Sequence, residues 1–179
     1  MTGSDTPTVR LRELRREDLP RLHRWYQTPE LWDHLVGDFT PRSESEATAY
    51  MERWLAPSDT ELRLGIEVDG PDGPRLVGLS FFSPLDVRAG WAELHTMIGE
   101  AGQRGRGIGR LAVAALVERG FALGLMRIEL KVLETNAAAR RVYQQCGFQI
   151  VGRATPAVKQ GQPAQVLTMQ IDQPRSATT

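Results

Sequence analysis

Cysteine is nearly missing from this chain: Cys146 is the single thiol among 179 residues. An internal disulfide framework is thereby excluded, and a reducing compartment is expected. Histidine is scarce as well. His23, His34 and His95 are scattered, and neither HExxH nor CxxC occurs, so no metal is expected. Neither sign of charge is in excess, because 22 Lys and Arg balance 22 Asp and Glu. A global attraction to nucleic acid or to a membrane surface is therefore not expected. No apolar run approaches the ~20 residues that span a bilayer. The opening MTGSDTPT has no basic region followed by an apolar one, as a signal peptide would. The expectation is a soluble, cytoplasmic protein. Internal repeats and long linkers are also missing, so 8–172 reads as one domain between flexible ends at 1–7 and 173–179.

What is present is a clear alternation of hydrophobic periods. TVRLREL has period two and predicts a first strand. Asp18 is placed to cap a helix through LPRLHRWY. Ser43 and Glu46 have capping-box spacing ahead of a helix whose apolar stripe is Ala47, Tyr50, Met51, Trp54 and Leu55. The strands ELRLGIEV, RLVGLSFF and WAELHTMI follow, the first two joined by the turn-rich DGPDGP. A helix is expected over about 108–124, then the strand RIELKVLE, then a short helix over 137–146 capped by Asn136 and stopped by Gly147. FQIVGRA and QVLTMQI close the series as two strands. Such an order specifies an α+β or α/β chain with a sheet of mixed direction.

One stretch calls for a ligand. QRGRGIGR, Gln103 to Arg110, alternates glycine with arginine between a strand and a helix start. The first N–H groups of a helix lack intrahelical partners and carry the positive end of its dipole, so such a loop suits an anion, most often phosphate. It is not a nucleoside triphosphatase loop, because no Lys-Ser/Thr pair follows. It also departs from the dinucleotide fingerprint GxGxxG, where Arg110 stands in place of the third glycine.

The remaining pattern, Arg104-x-x-Gly107-x-Gly109, together with N-x-x-A-x-x-x-Y-x-x-x-GF from Asn136 to Phe148, resembles the GNAT superfamily of N-acetyltransferases. The order and spacing of VRLRELRREDLPRLHRW, the strand meander, the loop and ETNAAARRVYQQCGF extend the resemblance over nearly the whole chain. The closing hairpin around KQGQPAQ is similar to the ribosomal-protein-alanine and spermidine acetyltransferase branch. The resemblance implies a mostly antiparallel sheet of about seven strands flanked by about four helices. It also implies acetyl-CoA as cosubstrate, held in a cleft between splayed central strands.

By the same resemblance, Arg104, Gly105, Arg106, Gly107, Ile108, Gly109 and Arg110 would hold the pyrophosphate. Met97, Ile98 and Gly99 would offer freed backbone groups to the pantetheine and thioester, and Asn136 would reach the cofactor. Glu93 would be the general base and Tyr143 the general acid that protonates the departing sulfur.

The residues themselves add two points. Period two places Trp91, Glu93, His95 and Met97 on one strand face just before the loop, and His95 could share the base role. Ala139, Val142, Tyr143 and Cys146 lie at helical spacing, so Tyr143 also reads as core and Cys146 as inert packing.

Trp25, Tyr26, Trp32, His34, Asp38, Glu44, Glu46 and Glu52 fall in the region where the family binds its acceptor. Aromatics with carboxylates would suit a cationic amine: a polyamine, an aminoglycoside or other amino-sugar, or a protein N-terminus. The same tryptophans read equally as core and the glutamates as a solvated helix face. A second function class stays open, an acyl-CoA-sensing module without turnover. Homodimerisation is left open too.

Overall fold

The structure, a computed structural model, describes residues 7–174. Seven strands form one sheet: β1 (Val9–Glu13), β2 (Leu62–Val68), β3 (Arg75–Asp86), β4 (Trp91–Ile98), β5 (Arg127–Leu133), β6 (Gln149–Lys159) and β7 (Gln162–Asp172). Their spatial order is β1-β2-β3-β4-β5-β7-β6. Every pairing is antiparallel except β4 with β5. The helices are α1 (Leu19–Tyr26), α2 (Pro29–Trp32), α3 (Glu44–Glu52), α4 (Ile108–Ala122) and α5 (Ala137–Gln145). The expected mixed, mostly antiparallel sheet is thus present, with one more helix than the sequence suggested. That extra element, α2, is a single turn started by Pro29, too short to show a hydrophobic period.

The two faces of the sheet are buried by different helices. Ala92 and Leu94 of β4 pack with Val113, Leu116 and Val117 of α4 and with Tyr143 and Phe148 around α5. On the opposite face Leu79 and Met97 pack with Leu22 and Trp25 of α1 and Met51 and Trp54 around α3. Alternation along β4 therefore sends Leu94 to one core while Glu93, His95 and Met97 share the other face. Between the α1–α3 layer and Glu93 lies open space, not core.

Local signals in the sequence were honoured unevenly. The Ser43–Glu46 capping box forms in full, with Glu46 N–H donating to Ser43 Oγ and Ser43 N–H to Glu46 Oε2 at 2.9 Å. Asn136 caps α5 by accepting from Ala139 N–H, and Gly147 ends it at φ 94°. Asp18 precedes α1 as expected, but its carboxylate does not cap that helix. It accepts from Arg15 N–H and from the Arg12 guanidinium instead. A bidentate arginine nearby outcompetes a cap that offers one amide.

Among the described residues no helix is long and apolar enough to cross a membrane. Of the ends expected to be flexible, 1–7 and 173–179, residues 1–6 and 175–179 lie outside the described residues. Gln173, assigned to the tail, is still tied to the fold through its N–H to Met126 O.

Candidate active site

The cleft originates in how β4 and β5 meet. Their parallel pairing covers Trp91–Arg127, Ala92–Ile128 and Glu93–Glu129, and then stops. β4 stays paired with β3 as far as Gly78–Ile98, while β5 stays paired with β7 as far as Leu133–Val166. Each central strand thus follows a different partner, and a wedge opens beyond Glu93.

Gly99 N–H donates to Val77 O on the β3 side. In an antiparallel ladder the direction of backbone groups alternates, so Met97 shares that side, whereas Leu94, Thr96 and Ile98 face the wedge. Of the three residues expected to free their backbone, Ile98 is the one aimed at the cleft. Gly99 has another reason to be glycine, since a Cβ there would lie 2.1 Å from the Trp25 ring.

The loop after β4 builds a cradle from backbone. Gly105 and Gly107 have φ of 73° and 79°, and Gly107 is the residue before the first turn of α4. Side chains rarely adopt that conformation, so the glycines are required by the chain path. The first helical bond runs from Leu111 N–H to Gly107 O, which leaves the N–H groups of Ile108, Gly109 and Arg110 unpaired within the helix. A Cβ at Gly105 or Gly107 would touch nothing within 4 Å, and one at Gly109 would touch only Ile98 at 4.0 Å. Space outside the chain therefore adjoins these three amides, and it fits a diphosphate.

The arginines divide their roles. Arg104 Nε donates to Ile98 O at 3.1 Å and Arg106 Nη1 to the buried Gln103 Oε1 at 2.9 Å. Both therefore brace the loop, while the Arg110 guanidinium has no partner among the described residues.

At the wedge itself, Glu93 is held on two sides. Lys131 Nζ lies 2.7 Å from its Oε2, and His95 Nε2 lies 3.5 Å from its Oε1. His95 is stacked on Phe81, with ring centroids 4.8 Å apart, and its Nε2 is 2.7 Å from Ser83 O. A carbonyl only accepts, so Nε2 carries the proton and Nδ1 keeps its lone pair. Burial lowers the His95 pKa below 6.5, although the Ser83 carbonyl and Glu93 pull the other way. The ring is thus neutral at neutral pH.

Tyr143 is 7% exposed and edge-on to Phe148. Its hydroxyl has no hydrogen-bond partner among the described residues. Burial, then Cys146, pushes its pKa up to about 12, so it stays protonated and able to donate. Burial likewise pushes the Cys146 thiol up, and its Sγ donates to Arg110 O, as inert packing would. Asn136 uses its amide twice within the chain, capping α5 and donating to His34 O at 3.0 Å.

One continuous cavity of about 1040 Å³ joins these groups, from Gly107 and Arg110 past Tyr143 and Glu93 to Trp54 and Arg63. Residues 8–149 match the acetyltransferase (GNAT) domain family. The chain belongs to that family.

This acetyltransferase is 26% identical over 146 residues to an N-acetyltransferase 9-like protein of Nematostella vectensis, covering 73% of the chain and 69% of that protein. Its fold is similar to that of spermidine N-acetyltransferase from Vibrio cholerae, solved in complex with CoA and spermine. There the TM-score is 0.80 and the identity 22%, over 92% of this chain and 95% of that one. A domain from Methanocaldococcus jannaschii superposes with a TM-score of 0.75 at 17% identity, over 93% and 99% of the two chains.

Of the residues expected at the acceptor end, Tyr26, Trp32 and His34 line the cavity, and the others do not. Trp25 is core, its Nε1 donating to Glu100. Asp38 pairs with Lys159, Glu46 closes its capping box and Glu52 pairs with Arg16. Glu44 and Glu52 lie on the outer side of α3. The carboxylates that do line the cavity are Glu61 and Glu93.

Lys131, Glu61, Arg63 and Ser83 were not anticipated. Lys131 had a signal: period two puts it on the face of Glu129, and a parallel β4–β5 register would have set it beside Glu93.

Proposed function

We propose that this acetyltransferase moves the acetyl group of acetyl-CoA directly to a primary amine while both substrates are bound. One observation carries the reading. The wedge between β4 and β5 places an amide cradle, a buried protonated phenol and a paired carboxylate along a single cavity. The family membership and the amine-acetylating relatives agree with it.

Acetyl-CoA would lie with its diphosphate on the amides of Ile108, Gly109 and Arg110, and its charge would be met by Arg110. When bound it supplies an activated acyl carbon and a thiolate leaving group. The chain's own residues then manage protons. Glu93, held in place by its ion pair with Lys131, accepts the proton that the amine sheds, directly or through water. Neutral His95, its Nε2–H held by Ser83 O, flanks the Glu93 carboxylate at 3.5 Å. The amine nitrogen bonds the acyl carbon, the carbon–sulfur bond breaks, and Tyr143 gives its proton to the sulfur. Burial penalises the resulting tyrosinate, so Tyr143 is reprotonated at once. No covalent enzyme intermediate is needed, and Cys146 takes no part.

Thiol release from acetyl-CoA, followed across a panel of amines, tests the proposal. Amine-dependent release that saturates in both substrates is expected. Tight CoA binding with no release for any amine would instead leave an acyl-CoA-sensing module. Asn136, by contrast, is assigned to shaping α5 and the His34 loop more than to touching the cofactor.

A further inference from the structure

The charges at the acceptor end are already satisfied by each other, with one cation left over. Glu93 pairs with Lys131, and Glu61 pairs with Arg63 and accepts from Ser83 Oγ. Arg53 also lines this end, and its exposed guanidinium has no partner among the described residues. Two pairs cancel, so among the described residues the acceptor end carries a net positive charge from Arg53 and no unpaired carboxylate.

The aromatic wall is equally committed. Tyr26, Tyr50, Trp54 and Phe81 meet edge to face around this end. A cationic substrate would seek such ring faces. Yet the chain's own arginines occupy two of them: the Arg42 guanidinium lies 4.4 Å from the Tyr50 centroid, and that of Arg63 lies 5.6 Å from the Trp54 centroid. A polyamine arriving here would find both carboxylates and two of the ring faces taken and would meet Arg53, Arg63 and Lys131. Burying extra positive charge beside them without a counter-ion is unfavourable.

The row of side chains also sets a length. Arg63 sits opposite Phe81 and Phe81 opposite His95 in adjacent strands, all on the cavity face. Neighbouring strands are about 4.8 Å apart, so the backbone of Arg63 stands roughly 10 Å from that of His95. The Arg63 guanidinium is anchored by its Nη1 donating to Arg53 O at 2.7 Å, which joins the two arginines into one cationic corner.

We infer that the acceptor is an amine whose molecule also carries an acidic group, with an apolar or aromatic body between the two. The amine would sit at Glu93, the body against Phe81, whose ring no arginine among the described residues covers, and the acid at Arg53 beside Arg63. The inference rests on the direct-transfer reading above and narrows its acceptor away from polyamines.

Three amines decide it: 4-(2-aminoethyl)benzoate, phenethylamine, which lacks the carboxylate, and spermidine. For the wild-type protein kcat/KM is expected to be at least about tenfold higher for the benzoate than for phenethylamine, a ratio typical of one charged contact, and lowest for spermidine. Arg53→Glu should bring the benzoate-to-phenethylamine ratio to one or below. A wild-type ratio of one or less, a ratio that Arg53→Glu leaves unchanged, or a preference for spermidine overturns the inference while the transferase reading stands. If CoA binds by calorimetry but none of the amines, nor any of the wider panel, is acetylated, the transferase reading fails and the acceptor inference falls with it.

Discussion

In the proposed reading the cofactor end of the cleft offers backbone amides, whereas the acceptor end offers side chains gathered from β2, β3, β4, β5 and the turn after α3. The cradle at Gly105–Arg110 is local: two left-handed glycines and a helix start suffice, all within one short stretch. The acceptor end is non-local. Glu93 depends on Lys131, 38 residues away, and Ser83 on Glu61, 22 residues away. A backbone site resists loss of any one side chain but not distortion of its path. A site built from paired charges behaves the opposite way, because removing one member leaves the other uncompensated.

The sharpest way to break that comparison is at Glu93. Glu93→Gln should lower kcat/KM by about 10²–10⁴-fold, the usual contribution of a positioned base, with the loss shrinking as pH rises and more amine is neutral on its own. A loss that stays constant with pH would assign Glu93 to holding Lys131 instead of moving a proton.

Next in size is Tyr143→Phe, which keeps the buried ring but removes the hydroxyl. Turnover should fall by about 10²-fold while CoA affinity and melting temperature stay near wild type. Full activity would return Tyr143 to the core, where its packing in the α4–α5 cluster already gives it a place.

The cofactor end is tested by pitting its backbone against its arginines. Gly107→Val forces a β-branched residue to φ near 79° and should weaken CoA binding by about tenfold or more. Arg106→Ala removes a guanidinium already spent on Gln103 and should cost no more than about threefold. Calorimetry in which the arginine variant loses more than the glycine variant would contradict a backbone cradle. Smallest of all is the salt effect. CoA affinity should fall by a few-fold between about 0.05 and 0.5 M salt, because Arg110 is the loop arginine whose exposed guanidinium is, among the described residues, left free for phosphate. Equal affinity at both ends of that range would remove Arg110 from the cradle.

Much of the fold could be read from the chain because its signals are local. Period-two runs marked the seven strands, and Ser43 with Glu46, Asn136 and Gly147 marked helix ends, each through a contact reaching no more than five residues. Asp18 marked the right place but with the wrong bond, since the competing Arg12 comes from another element. The loop at Gln103–Arg110 was legible from helix-terminus physics, whereas Glu93 and Tyr143 were put forward through family resemblance and share one cavity. What misled was the acceptor region. Trp25, Asp38, Glu46 and Glu52 had the composition of a cationic-amine pocket, but composition does not say which way a side chain faces. They went to a core, a hairpin contact, a helix cap and a surface ion pair.

The amino-acid sequence by itself determined the strands, the helix starts and the glycine cradle, because those follow from dihedral preferences and from hydrogen bonds between near neighbours. Only the tertiary structure decided that β4 leaves β5 after Glu93, that Lys131 and His95 flank that carboxylate, and that Arg42 and Arg63 occupy the aromatic faces of the acceptor end. Strand pairing fixes all of these, and pairing depends on register between segments that lie far apart in the chain.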